Sequence, residues 1–154
     1  MSKIDAIYMS EALKEAERAF EEEEVPVGAV VVNKGRIIAR GRNQVERLKD
    51  PTAHAEMLAL TSAANYLGSK WLNEASIYVT IEPCSMCAGA LVLARIKNLY
   101  FGAKDPKTGA CGSVTNIVNH KKLNHKIKIK KGILEKECGV LLTEFFRKKR
   151  TRKN

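Results

Sequence analysis

The hydrophobic patterning predicts an α/β protein: a three-layer α/β/α sandwich around a five-stranded mixed sheet, folded as one domain over residues 1–154. Three observations carry this. Ser76–Ile81 (SIYVTI) and residues 98–102 (NLYFG) are apolar β-formers separated by a helical stretch, and such a strand–helix–strand unit places its strands parallel. Residues 27–32 (VGAVVV) and the alternating run 36–42 flank Asn33-Lys34-Gly35, a hairpin composition that adds antiparallel pairing. Three longer stretches, 4–22, 54–68 and from 134 onward, repeat apolar residues at helical spacing and supply the outer layers.

In order along the chain, Met9, Leu13, Ala16 and Phe20 mark the packed face of the first helix. Glu21 to Glu24 close it as an acidic run that opposes the helix dipole and is expected in solvent. Asn43 ends the hairpin; it reads as a turn residue, and its amide also suits reading a base edge. Asp50-Pro51-Thr52 has the polar residues and early proline of a helix start, and that helix runs through Met57, Leu58, Leu60 and Ala64 to Gly68. Trp71 is expected to pack, given the area a tryptophan buries. The SIYVTI strand delivers Glu82 and Pro83, and Pro83 suits the first turn of a helix that continues through Leu91 and Val92 to Arg95. Residues 103–115 form a long loop of the kind that is functional or mobile. Ile127 and Ile129 alternate with lysines in a last strand. The closing helix carries Cys138, Leu141, Leu142, Phe145 and Phe146 and ends in Arg147-Lys148-Lys149-Arg150.

No apolar run approaches the ~20 residues of a membrane span, and residues 1–20 lack the sections of a signal peptide. Of the four cysteines, Cys111 and Cys138 read as free thiols in a reducing cytoplasm, Cys138 in the core and Cys111 in a glycine-containing loop. The net charge of +10 is concentrated: residues 121–131 hold six lysines and residues 147–154 six Lys/Arg, with no acid in either, whereas the rest holds 15 basic and 17 acidic groups. Such a distribution suits a lysine-edged strand plus a solvated tail, and equally a polyanion footprint.

The chemistry lies in two motifs about thirty residues apart, His54-Ala55-Glu56 and Pro83-Cys84-Ser85-Met86-Cys87. One imidazole and two thiolates suit Zn²⁺, and three protein ligands with no fourth at an obvious spacing describe a catalytic zinc open to water. Alone, a Cys-x-x-Cys could be a redox pair or half a structural zinc site; the carboxylate of Glu56 beside the histidine points to catalysis. Positions i and i+2 diverge on the flank of a helix, so His54 and Glu56 meet a metal only if it sits off the helix end. Two helix N-termini aimed at that point would favour thiolates and hydroxide.

These motifs are the mark of zinc nucleobase deaminases. Over nearly its whole length the chain resembles the bacterial tRNA-specific adenosine deaminases, on Glu24-Val25-Pro26-Val27-Gly28-Ala29-Val30, Asp50-Pro51-Thr52-Ala53-His54-Ala55-Glu56, Glu82-Pro83-Cys84-Ser85-Met86-Cys87-Ala88-Gly89-Ala90, the loop from Phe101 to Gly109, and Phe145-Phe146-Arg147. The zinc motifs alone are shared with guanine deaminases; Lys107-Thr108-Gly109 and the Phe-Phe-Arg helix tilt the choice to tRNA. The resemblance implies a cytidine deaminase-like fold and one Zn²⁺ per subunit on His54, Cys84 and Cys87. It implies a zinc-activated water, with Glu56 carrying protons to N1 of adenine and to the departing amine. It places Asn43 and the backbone at Ala55 on the base, Val25, Pro83 and Phe146 in the pocket wall, and Asp105 and Lys107 on RNA. Lys121, Lys122, Lys149 and Arg150 would meet phosphates. It further implies a cytoplasmic homodimer acting on the anticodon stem-loop of tRNA, away from membranes. Two rivals are a deaminase of a free guanine- or cytosine-type base or nucleoside, which has no need of clustered C-terminal cations, and a zinc-stabilised RNA-binding protein without catalysis, which has no need of Glu56.

Overall fold

The computed structural model describes residues 2–152, so Lys153 and Asn154 of the basic end lie outside the described residues. The chain runs α1 (Lys3–Glu21), β1 (Gly28–Asn33), β2 (Arg36–Arg42), α2 (Val45–Leu48), α3 (Ala55–Leu67), β3 (Ser76–Ile81), α4 (Ser85–Leu93), β4 (Asn98–Ala103), β5 (Lys128–Lys131) and α5 (Glu135–Arg152). The strands order as β2-β1-β3-β4-β5. β1 is antiparallel to β2 and β3, while β3, β4 and β5 are parallel, the mixed sheet expected from the hairpin and the crossover.

Alternation along β1 sorts the helices into layers. Ala29 and Val31 point into a core shared with Ala59 and Leu60 of α3 and Ala88 and Leu91 of α4. Val30 and Val32 point the other way, towards Met9 and Ala12 of α1 and Cys138 of α5. Period-two side chains on a strand buried on both faces require this division. Two glycines set how closely the helices approach. A Cβ on Gly28 would run into the backbone of Ala12 and Ala16, and one on Gly41 into that of Ala55 and Ala59.

The sequence misjudges four local features. The acidic run is not all solvated: Glu24 is buried and accepts the N–H groups of Glu46 (2.9 Å) and Arg47 (2.8 Å), while Glu22 pairs with Arg42 and Arg47. Asp50, Pro51 and Thr52 form a turn closed by Thr52 N–H donating to Asp50 (2.8 Å), and α3 starts only at Ala55. Pro83 precedes α4 rather than opening it, and α4 ends at Leu93, with Arg95 at φ 58° breaking the helix. Trp71 is 44% exposed, because Leu72 takes the inward position; its ring is flanked by Arg95 at 4.4 Å and Lys70 at 4.9 Å.

One polar link crosses the α1 layer. Asp5, on the buried face of α1, accepts from the Tyr78 hydroxyl (2.7 Å) and from Lys130 Nζ (3.1 Å), and Tyr78 stacks on Tyr100 at 4.3 Å. Burial alone would raise the Asp5 pKa, but the hydrogen bonds from Tyr78, Lys130 and Ser2 outweigh it and the net shift is downward. A depressed carboxylate stabilises the fold fully above its unfolded pKa and loses that contribution as pH falls through the folded value. Asp5→Ala is therefore expected to cost about 1–3 kcal/mol at neutral pH by leaving the Tyr78 hydroxyl unpartnered. In urea titrations the gap between wild type and variant should shrink as pH drops below about 4; a gap independent of pH would refute the assignment.

Candidate active site and metal centre

The start of β1, the end of β2 and the end of β3 gather at one edge of the sheet, where Gly28 N–H donates to Thr80 Oγ1 at 3.1 Å. The N-termini of α3 and α4 open at the same edge. His54 is the N-cap of α3 and Cys84 the N-cap of α4, both in extended backbone, and neither side chain caps its own helix. An N-cap side chain ordinarily accepts from its own first turn; here both are turned on each other instead. His54 Nδ1 lies 3.7 Å from Cys84 Sγ and 3.5 Å from Cys87 Sγ, and the three donor atoms all fall within 4.8 Å of one another. A tetrahedral ion bound at ~2.0–2.1 Å to nitrogen and ~2.3 Å to sulfur sets those atoms about 3.5 Å apart, so the donor set fits a metal of zinc's size. The spacing needed for this, N-cap to third helical position, is that of a capping box.

Charge at the centre supports the same reading. Hydrogen bonds with Cys87 and His54 draw Cys84 down to about 3, and the bond to Cys84 together with burial drives Cys87 far up. Bonding to Cys84 also raises His54. Two sulfurs this close disfavour two negative charges, and a divalent cation would lift that limit and hold both as thiolates. Glu56, in the first turn of α3, is 3% exposed, and burial raises its pKa.

His54, Glu56 and Cys84 form the floor of a cavity of about 850 Å³, with Cys87 buried beneath it. Val25, Asn43 and Ala55 line it with His54, Glu56 and Cys84; Asp105, Lys107 and Thr108 bound it from the β4–β5 connection; Leu142, Phe145, Phe146, Lys149 and Arg150 bound it from α5. Of the wall residues expected, Pro83 does not face the cavity: it is buried, and its carbonyl accepts from Ala110 N–H at 2.8 Å. Lys121 and Lys122 are exposed on the β4–β5 connection and take no part in the lining. Asn43 donates its amide to the Val25 carbonyl at 3.2 Å, while its Oδ1 is buried with no partner. An orphaned buried acceptor beside an open cavity is set up to receive a donor from a ligand.

Two glutamates at the cavity were not singled out from the sequence. Glu24 anchors α2, as described above, and Glu82 holds the β4–β5 connection. The signal was present for Glu82, an acid closing an otherwise apolar strand directly before a proline. Burial would raise the Glu82 pKa, but bonds from Ser113, Asp105 and Cys111 hold it below the usual carboxylate range.

Comparison with known proteins agrees with this geometry. Residues 4–150 match the MafB19-like deaminase family. The chain is 48% identical over 149 residues to the tRNA-specific adenosine deaminase of Bacillus subtilis, covering 97% of this chain and 92% of that one. It is 52% identical over 143 residues to the tRNA-specific adenosine deaminase of Aquifex aeolicus, covering 93% and 94%. The chain belongs to the tRNA-specific adenosine deaminase family. A solved structure from studies of A-to-I editing by tRNA:A34 deaminases at the wobble position superposes on this deaminase with a TM-score of 0.85 at 44% identity, covering 88% of this chain and 99% of that one.

In this deaminase the Glu24 carboxylate stands where a short helix leaves backbone donors open, so Glu24→Ala should cost about 1–3 kcal/mol. At this chain length each kcal/mol lowers the melting temperature by about 2–4 °C in calorimetry. Glu17→Ala, at an exposed position on α1, should stay within ~0.5 kcal/mol. Equal shifts for the two variants would show that the Glu24 hydrogen bonds stabilise nothing.

Proposed function

We propose that this chain, acting as one domain over its whole length, hydrolyses adenosine to inosine and ammonia at the wobble position of a tRNA anticodon. The observation that carries the reading is the buried carboxylate of Glu56 beside the His54–Cys84–Cys87 donor set, at the floor of a cavity with a basic rim. The names of the relatives set the substrate class.

His54, Cys84 and Cys87 would hold one Zn²⁺, which when bound supplies an electrophile that makes water nucleophilic at neutral pH. Glu56 accepts the proton that water gives up, and burial, which raises its pKa, favours the protonated form. It delivers that proton to N1 of adenine as C6 is attacked, then takes the proton of the C6 hydroxyl so formed and passes it to the exocyclic amine as the C6–N bond breaks, leaving the C6 carbonyl and ammonia. Asn43 Oδ1 accepts from the bound nucleoside, and the backbone at Ala55 reads the base edge. Val25 and Phe146 pack against the base, and Asp105 and Lys107 contact the flanking RNA. A wobble base sits in a single-stranded loop, so seating it in the cavity costs less than extruding it from a duplex. Lys149 and Arg150 at the rim, with Lys121 and Lys122 farther out, neutralise phosphates.

We place the enzyme in the cytoplasm, in keeping with four unpaired cysteines, and among the described residues no helix is long and apolar enough to cross a membrane. A homodimer is part of the same reading. The α4 sequence SMCAGALVL carries no charge, and Leu93 at its end is 80% exposed, so its outer face suits burial against a second copy.

The test is to incubate zinc-loaded protein with an anticodon stem-loop bearing adenosine at the wobble position, in parallel with free adenosine, guanine and cytosine. Inosine should form in the stem-loop alone; ammonia from a free base with intact RNA would transfer the chemistry to the rival substrate class. Glu56→Ala should retain one zinc per chain by elemental analysis and lose turnover by at least ~10²-fold. Turnover near wild type in that variant would remove Glu56 from the mechanism.

A further inference from the structure

We infer that Glu82 is a positioning residue: its carboxylate locks the connection from Asp105 to Ser113 against the cavity, and so presents the Asp105, Lys107 and Thr108 side chains to a polynucleotide. This rests on the RNA reading proposed above and concerns the organisation of the same site.

Glu82 is 2% exposed, yet its partners all belong to this one connection. Oε1 accepts from Asp105 N–H (3.1 Å) and the Ser113 hydroxyl (2.5 Å), and Oε2 from Cys111 N–H (3.0 Å) and Ser113 N–H (3.0 Å). The connection returns contacts to the segment that leads from β3 into α4 and carries Cys84. Cys84 and Gly109 form an antiparallel bridge, and Ala110 N–H donates to the Pro83 carbonyl at 2.8 Å. Gly109 is there because a Cβ would collide with the Glu82 carboxylate and the Asp105 carbonyl. The far end is set locally, Asp105 accepting from Lys107 N–H (3.0 Å), Thr108 N–H (3.1 Å) and the Thr108 hydroxyl (2.6 Å). The cavity-facing turn is thus closed on itself by Asp105 and fastened to the sheet by the Glu82 carboxylate, with the Cys84–Gly109 bridge and the Ala110–Pro83 bond beside it.

All four bonds run from donors to an acceptor-only group, and this distinguishes anchoring from packing. A glutamine of the same shape must turn an N–H₂ towards donors, and its best orientation sets that group on the Ser113 hydroxyl, leaving Asp105 N–H without an acceptor.

The experiment compares wild type with Glu82→Gln, Ser113→Ala and Gly109→Ala. Steady-state kinetics on the wobble-adenosine stem-loop are combined with amide hydrogen exchange of residues 104–113 and zinc content. Glu82→Gln should keep its zinc, speed exchange in this segment and raise KM about tenfold, the equivalent of one charge-assisted hydrogen bond, with kcat within about threefold by the same scale. Gly109→Ala should reproduce that pattern with Glu82 intact, and Ser113→Ala should show it more weakly. Wild-type exchange and wild-type KM in Glu82→Gln would overturn the inference, as would a fall confined to kcat. If wild type leaves the stem-loop untouched, the substrate reading fails, and exchange in 104–113 still decides whether Glu82 anchors the turn.

Discussion

The constraint on which the site depends is that two helices surrender their N-terminal capping side chains. His54 and Cys84 occupy N-cap positions whose side chains make no bond to their own helices. Forgoing a cap costs a helix about 1 kcal/mol. The loss is offset by packing, since α3 and α4 bury Ala59, Leu60, Ala88 and Leu91 against the sheet. The return is geometric. An N-cap side chain projects along the helix end rather than from its flank, so two such residues plus Cys87 bring three donors to one point. The same step explains how His54 and Glu56 serve one centre although positions i and i+2 diverge on a helix. It also aims the positive ends of both helices at whatever anion forms there.

Around this centre the protein keeps three buried glutamates, and environment separates their roles. Glu82 is surrounded by donors from a single connection, and its carboxyl is held ionised. Glu24 receives two N–H groups from α2. Glu56 is buried as well, and there burial is the leading influence and favours the protonated form. Acids kept as permanent acceptors build scaffolding, whereas an acid whose charge is poorly solvated can exchange a proton; sorting carboxyls by environment is how one fold serves both ends. Among the described residues the polar economy of the cavity leaves one exception, the orphaned Oδ1 of Asn43.

What the sequence disclosed depends on the kind of partner involved. That His54, Cys84 and Cys87 meet beside Glu56 was legible because the residue types suited to metal ligation and proton transfer are few and stand at fixed spacing. Strands β1 to β5 and helices α1, α3, α4 and α5 were legible from apolar periodicity. Glu24 was not, because it binds backbone N–H groups, which every residue but proline carries and no composition marks, and Glu82 left only the trace of an acid directly before a proline. The omission of α2 follows from the same fact: four residues leave no periodic pattern, and the helix owes its existence to a carboxylate more than twenty residues away. Trp71 was misplaced for a simpler reason. Area predicts how much a side chain gains by burial, but the chain leaving α3 at Gly68 decides which of Trp71 and Leu72 turns inward.

The charge distribution follows the same division between chemistry and recognition. Outside residues 121–131 and 147–154 the chain is close to neutral, with Glu22 and Glu11 engaged by Arg42, Arg47 and Arg40. The surplus is carried on elements that border the cavity or lie beyond it. α5 does two jobs with one helix. Its Leu142, Phe145 and Phe146 close the cavity, and one turn on, Lys149 and Arg150 stand at the rim. Phe145 meets Phe20 edge-on at 5.9 Å, and Arg152 pairs with Glu23, so the cationic end is tied back to the start of the chain rather than free in solvent. A basic end fixed in direction can orient a polyanion relative to the floor of the cavity, whereas a mobile tail could only raise its local concentration. For a reaction on one base within a long phosphate chain, the fixed arrangement is the one that selects which base enters.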